Sequence, residues 1–89
     1  MSDEESVVPQ SWLQKQLTVD EAETENMHEG IPFGGMIEEW NALKSQMLDG
    51  DEIWEFSSCA DSWNHLAGRA GFALVRNGKA IDCIVTIMN

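Results

Sequence analysis

Apolar and polar positions sort most clearly in the last third of the chain. There Phe72-Ala73-Leu74-Val75-Arg76 runs into Asn77-Gly78 and back out through Lys79-Ala80-Ile81-Asp82-Cys83-Ile84-Val85-Thr86-Ile87. Apolar, β-branched runs joined by Asn-Gly predict a β-hairpin, because a type I′ turn needs positive φ at both central positions, which Asn and Gly adopt most readily. A two-residue link sets Arg76 opposite Lys79, Leu74 opposite Ile81, Phe72 opposite Cys83 and Ala70 opposite Val85. One face then carries Phe72, Leu74, Ile81, Cys83, Val85 and Ile87 and should be core. The other carries Ala73, Val75, Ala80, Asp82, Ile84, Thr86 and Met88, a mixed set suited to partial cover.

Upstream the period changes. Residues 1–10, polar and acidic with Pro9, predict a disordered tail, leaving 11–89 as a single domain. Ser11 as N-cap, with Trp12, Leu13, Gln16 and Leu17 at helical spacing, predicts a short helix over 12–17. Thr18-Val19-Asp20-Glu21 matches a capping box, so a second helix, exposed because its apolar stripe is weak, or else a disordered segment, runs from 19 to about Met27. His28 to Gly35 reads as a loop. From 36 to 48, apolar residues fall at Met36, Ile37, Trp40, Leu43, Met47 and Leu48 with polar residues opposite, the pattern of an amphipathic helix ended by Asp49-Gly50. Glu52-Ile53-Trp54-Glu55-Phe56-Ser57 alternates as a strand, and Trp63 to Leu66 form a short helix closed by Gly68 as a left-handed cap. The expected fold is therefore α+β: a three-stranded, mostly antiparallel sheet (about 52–58, 70–76, 79–88), the 36–48 helix on one face, and short N-terminal helical segments. One helix covers one face at most, so a second subunit or a partner is expected on the other, with a homodimer the first expectation.

At 89 residues the chain buries only about 60 to 65% of its unfolded surface, yet four Trp and five Met give it large side chains to cover. Charge changes the picture further: 16 acidic against 5 basic groups give −11. The bases concentrate at Arg69, Arg76 and Lys79, so the hairpin is the only basic part. Such a chain is repelled by phosphate backbones and anionic membranes, which argues against direct nucleic-acid or membrane binding unless those three bases form a patch. A basic protein partner fits better, and solubility alone is the plainer reading. No 18-residue apolar run and no basic-then-apolar start are present, so a cytoplasmic protein is expected. Cys59 and Cys83, far apart in sequence, fit reduced thiols in that compartment.

Candidate chemistry is sparse. Asp49, Asp51, Glu52 and Glu55 place carboxylates within reach of a hard cation, but the EF-hand spacing is absent and a solvated turn is the commoner account. His65 with Cys59 and Cys83 holds the ingredients of a thiol or soft-metal site without zinc-ligand spacing. No metal, cofactor or catalytic set is therefore expected. Gly68-Arg69-Ala70-Gly71 could present a guanidinium to a carboxylate or phosphate, although Arg69 paired with a nearby acid is the simpler outcome. Trp40, Trp54 and Trp63 could line a pocket with Arg69 and His65 at its mouth, or simply be core.

The run Gly50-Asp51-Glu52-Ile53-Trp54-Glu55-Phe56-Ser57-Ser58, followed by Asp61-Ser62-Trp63-Asn64-His65-Leu66-Ala67-Gly68-Arg69-Ala70-Gly71-Phe72-Ala73-Leu74-Val75-Arg76-Asn77-Gly78, resembles small uncharacterised bacterial proteins of the mobile gene cassette kind. The resemblance implies a bacterial cytoplasmic protein and brings no activity or site residues with it. Surplus aromatic area, uneven charge and the lack of an assembled catalytic set point to a non-enzymatic protein-interaction module, of which an inhibitor or nucleic-acid mimic is one version. The alternative is a small-molecule binder or minor enzyme built on the Trp-lined pocket.

Overall fold

A computed structural model describes residues 6–65 and 68–88. In chain order it contains β1 (Leu13–Leu17), α1 (Val19–Glu25), a small hairpin of β2 (Met27–His28) and β3 (Ile31–Pro32), α2 (Ile37–Ser45), β4 (Glu52–Ser57), α3 (Ala60–Asn64), β5 (Arg69–Arg76) and β6 (Lys79–Met88). The class is α+β, but the main sheet has four antiparallel strands, ordered β1-β4-β5-β6, where three were expected. Among the described residues no helix is long and apolar enough to cross a membrane.

The added strand is the segment expected as a helix over 12–17. Leu13 and Leu17 stand four apart, a spacing that fits either structure, and a bulge between Leu13 and Lys15 decides it. The bulge sends Leu13 to one face of the sheet and Leu17 to the other, so both leucines are covered in a strand. Thr18 then ends β1 and caps α1. Its hydroxyl accepts from the Glu21 N–H at 3.0 Å while the Glu21 carboxylate accepts from the Thr18 N–H at 2.9 Å, the expected capping box. Such a cap contributes on the order of 1 kcal/mol. The expected loop over 28–35 instead holds the β2–β3 hairpin, whose two-residue turn uses positive φ at Glu29 (54°) and Gly30 (80°).

Helix α2 is shorter than the expected 36–48 span. Leu48 lies beyond it and is exposed, because the Asp51 carboxylate accepts from the Leu48 N–H at 2.9 Å and a turn through Gly50 (φ 89°) redirects the chain. In α3 the expectation also shifts: the helix runs over Ala60–Asn64, and Leu66, expected within it, lies outside the described residues. Gly68 is needed because the Trp63 ring occupies the place of its Cβ.

The β5–β6 turn forms as expected, with φ of 55° at Asn77 and 81° at Gly78, and Arg76 stands opposite Lys79. Beyond it the register departs from expectation. A bulge between the Val75–Ala80 and Leu74–Asp82 pairs makes Ile81 an extra residue, so Ala73 faces Cys83 and Phe72 faces Ile84. Parity in β6 therefore flips: Ile84 joins the first face, and Cys83 and Val85 go to the second.

Both faces carry core. On the first, α1 and α2 lay Ala22, Trp40 and Leu43 over Ile53, Phe72, Leu74 and Ile84. Trp40 is fully buried, 4.4 Å from Phe33 between ring centroids and edge-on to Phe72. On the second, Val8 and Trp12 lie against Phe56, Ala73, Val75 and Ala80. The expected tail over 1–10 is thus narrowed: residues 1–5 lie outside the described residues, whereas Val8 is only 2% exposed. The Val7 N–H donates to the Ala80 carbonyl at 2.9 Å, and the Ala80 N–H donates to the Ser6 hydroxyl at 2.9 Å. From this edge of β6, residues 6–12 cross the second face as a strap and reach β1 at the opposite edge.

Candidate functional site

The strap covers only part of the second face. Beyond it Trp54, Cys83 and Val85 stay half-buried, Arg69 is exposed where β5 begins, and β6 ends in Ile87 and Met88, 57% and 69% exposed. Between strap and sheet lies a cleft of about 260 Å³ lined by Gln10, Leu13, Glu52, Trp54, Val75 and Gly78. Strand alternation in β4 puts Glu52, Trp54 and Phe56 on this side. The Trp54 indole N–H donates to a Glu52 carboxylate oxygen at 2.8 Å, and the Gln10 amide donates to the Gly78 carbonyl at 3.3 Å.

Two polar ties hold the rest of the frame. The Arg76 guanidinium forks onto Asp51 at 3.0 and 2.8 Å and also donates to the Gln46 carbonyl at 3.1 Å. The Asp51 side chain is only 3% exposed. The Arg76 fork, helped by the Leu48 N–H, holds the Asp51 carboxyl below its ordinary value. In the helix layer, Glu23 accepts from Lys44 at 2.6 Å and from the Trp40 indole at 2.8 Å, and those bonds lower its pKa in the same order. At β6, burial first and the neighbouring Asp82 second push the Cys83 thiol up, away from a reactive thiolate. The Cys83 backbone N–H donates to the Asp82 carboxylate at 2.8 Å.

The five residues singled out from sequence do not share one pocket, although Trp63 and Arg69 both meet Ser58. Trp40 lies in the helix-side core, Trp54 on the strap side, and Trp63 at the β4–β5 connection, where its indole donates to the Ser58 carbonyl at 3.1 Å. His65 is exposed just after α3. Arg69 is exposed too, its backbone N–H donating to the Ser58 hydroxyl at 3.0 Å. Arg69, Arg76 and Lys79 make no single basic patch, since Arg76 is committed to Asp51 and Arg69 stands at the other end of β5.

The acidic run divides as well. Asp51 serves Arg76, Glu52 serves Trp54, and among the described residues no group of three or more His, Cys, Asp or Glu could hold a metal ion. Neither Cys59 nor Cys83 forms a disulfide. Sequence reasoning missed Gln10, Leu13 and Glu52 as cleft residues. The signal was Val7-Val8 and Trp12, apolar residues in a segment otherwise read as tail and helix. Comparison with protein-family models, with curated proteins and with solved structures finds no match to this chain, leaving the geometry of the second face as the ground for a functional reading.

Proposed function

We propose that this chain is a non-enzymatic protein-interaction module, a small acidic protein of the bacterial cytoplasm that receives a basic partner protein on the second face of its sheet. The observation that carries the reading is the incomplete cover of that face, where Trp54, Cys83 and Val85 are only partly buried in a protein with little core to spare. The exposed acids Asp20, Glu21, Glu29, Glu38 and Glu39 lie on the helix-and-hairpin side, so the apolar strip is kept clear of them. A field from −11 net charge attracts a basic partner over distance and the apolar face holds it. An inhibitor of a nucleic-acid-binding enzyme is the version in which the carboxylates stand in for phosphates.

Val85→Glu tests the reading by placing a charge on the uncovered strip without touching the helices. Affinity for a purified partner is expected to fall by roughly tenfold or more, the cost of desolvating that charge. Glu38→Gln with Glu39→Gln is expected to slow association and flatten its salt dependence while leaving dissociation little changed. Unaltered affinity in Val85→Glu defeats the reading. Pairing with a second copy is the other use of this surface, favoured by exposed Met88 at the end of a long edge strand. Sedimentation decides it: a species at twice 10.0 kDa supports the homodimer, and one at 10.0 kDa removes it.

A further inference from the structure

The cleft under the strap has a chemistry of its own. Leu13 and Val75 give it apolar surface, Trp54 an aromatic wall and Glu52 a carboxylate, and no lysine or arginine lines it. One Glu52 oxygen is occupied by the Trp54 indole N–H at 2.8 Å, which sets the carboxylate at the edge of the ring because that N–H lies in the ring plane. Among the described residues no base pairs with Glu52, so its second oxygen is available. Gln10 uses its amide nitrogen on the Gly78 carbonyl, which leaves its side-chain oxygen as a further acceptor. An aromatic surface, a carboxylate and an amide oxygen around an apolar floor are complementary to a flat, multi-donor cation on an aliphatic stem. At about 260 Å³ the space falls below the roughly 300 Å³ at which drug-sized pockets begin, and suits one side chain.

We propose that this cleft receives an arginine side chain of the basic partner, its guanidinium shared between Glu52 and Gln10 and stacked on Trp54, its methylenes over Leu13 and Val75. The proposal rests on the second face being the docking surface and names the residue type that anchors there. Arginine rather than lysine follows from the acceptors: two oxygens on different side chains fit a planar fork that also stacks, whereas a compact, strongly hydrated ammonium gains less from the ring.

The test uses the full ¹⁵N-labelled chain titrated with the capped peptide Gly-Arg-Gly, its citrulline counterpart and its lysine counterpart. The Trp54 indole N–H signal, identified by its loss in Trp54→Phe, and the Gln10 side-chain amide are read. Saturable shifts of both with the arginine peptide, none with citrulline, and roughly tenfold weaker binding in Glu52→Gln are expected, as for losing a charge-assisted hydrogen bond. Glu52→Asp, with its carboxylate withdrawn by one methylene, should fall between. Shifts confined to α1 and α2, equal binding of citrulline, unchanged binding in Glu52→Gln, or tighter binding of lysine would each overturn the assignment. If the arginine peptide fails while Val85→Glu still releases the partner, the cleft assignment falls and the docking surface stands.

Discussion

Gly71 shows what a single residue settles. A Cβ there would run into the Ile84 carbonyl oxygen, which is backbone and cannot swing aside. Its φ is not in the left-handed region, so close approach of two strands, rather than conformational freedom, demands the glycine. Gly71→Ala is therefore expected to destabilise the fold by about 1–3 kcal/mol, the usual cost of overpacking, seen as a lowered urea midpoint. A midpoint equal to the parent's would mean that the second β5–β6 bulge, where pairing shifts between Ala70–Ile87 and Gly71–Val85, yields freely. Glycine inside a strand does signal a bulge or close approach. Which atom comes close is a long-range fact and cannot be read locally. Gly68 teaches the same lesson, its neighbour being the Trp63 ring rather than a helix end.

Elements were legible where their cause is local and illegible where two strands decide together. The Asn77-Gly78 turn and the Thr18–Glu21 capping box lie within a few residues, and both are as read. The bulge at Ile81 belongs to the pairing of β5 with β6, and nothing in Ala80-Ile81-Asp82 announces it. Between elements, the Arg76–Asp51 fork ties the α2–β4 connection to the start of the β5–β6 turn. Because the Asp51 carboxyl is held down in the folded chain, the unfolded chain binds that proton more readily. Its carboxylate thus adds stability above the unfolded value of about 3.9, and that stability is lost as pH falls through the lower folded value. Asp51→Asn is expected to be less stable at neutral pH and to lose stability less steeply below about pH 4. Urea midpoints followed from pH 7 downward check this; parallel curves for variant and parent would refute it.

For the whole molecule, the uneven spread of charge was legible by counting along the chain, while the cover of the second face was not. Val7-Val8 sits beside acids and a proline, so composition reads it as tail. Its burial depends on β6, at the far end of the sequence. Truncating this contact tests the strap: Val8→Ala removes two buried methyl groups, worth about 1.5 kcal/mol together at roughly 0.8 each. Hydrogen exchange is expected to quicken at Ala80, whose N–H is held by Ser6, and to stay slow at Leu74 in the centre of the sheet. Uniform acceleration would mean that the strap belongs to the global core. The bond from Ala80 to Ser6 joins residues 74 apart in sequence. Closing so large a ring costs more entropy than forming nearer contacts, so the strap is expected to dock after the sheet has formed. A newly made polypeptide must therefore carry its oily underside bare until residues 6–12 have docked on β6. The surface proposed for recognition is then also the one at greatest risk of sticking to its own kind during synthesis.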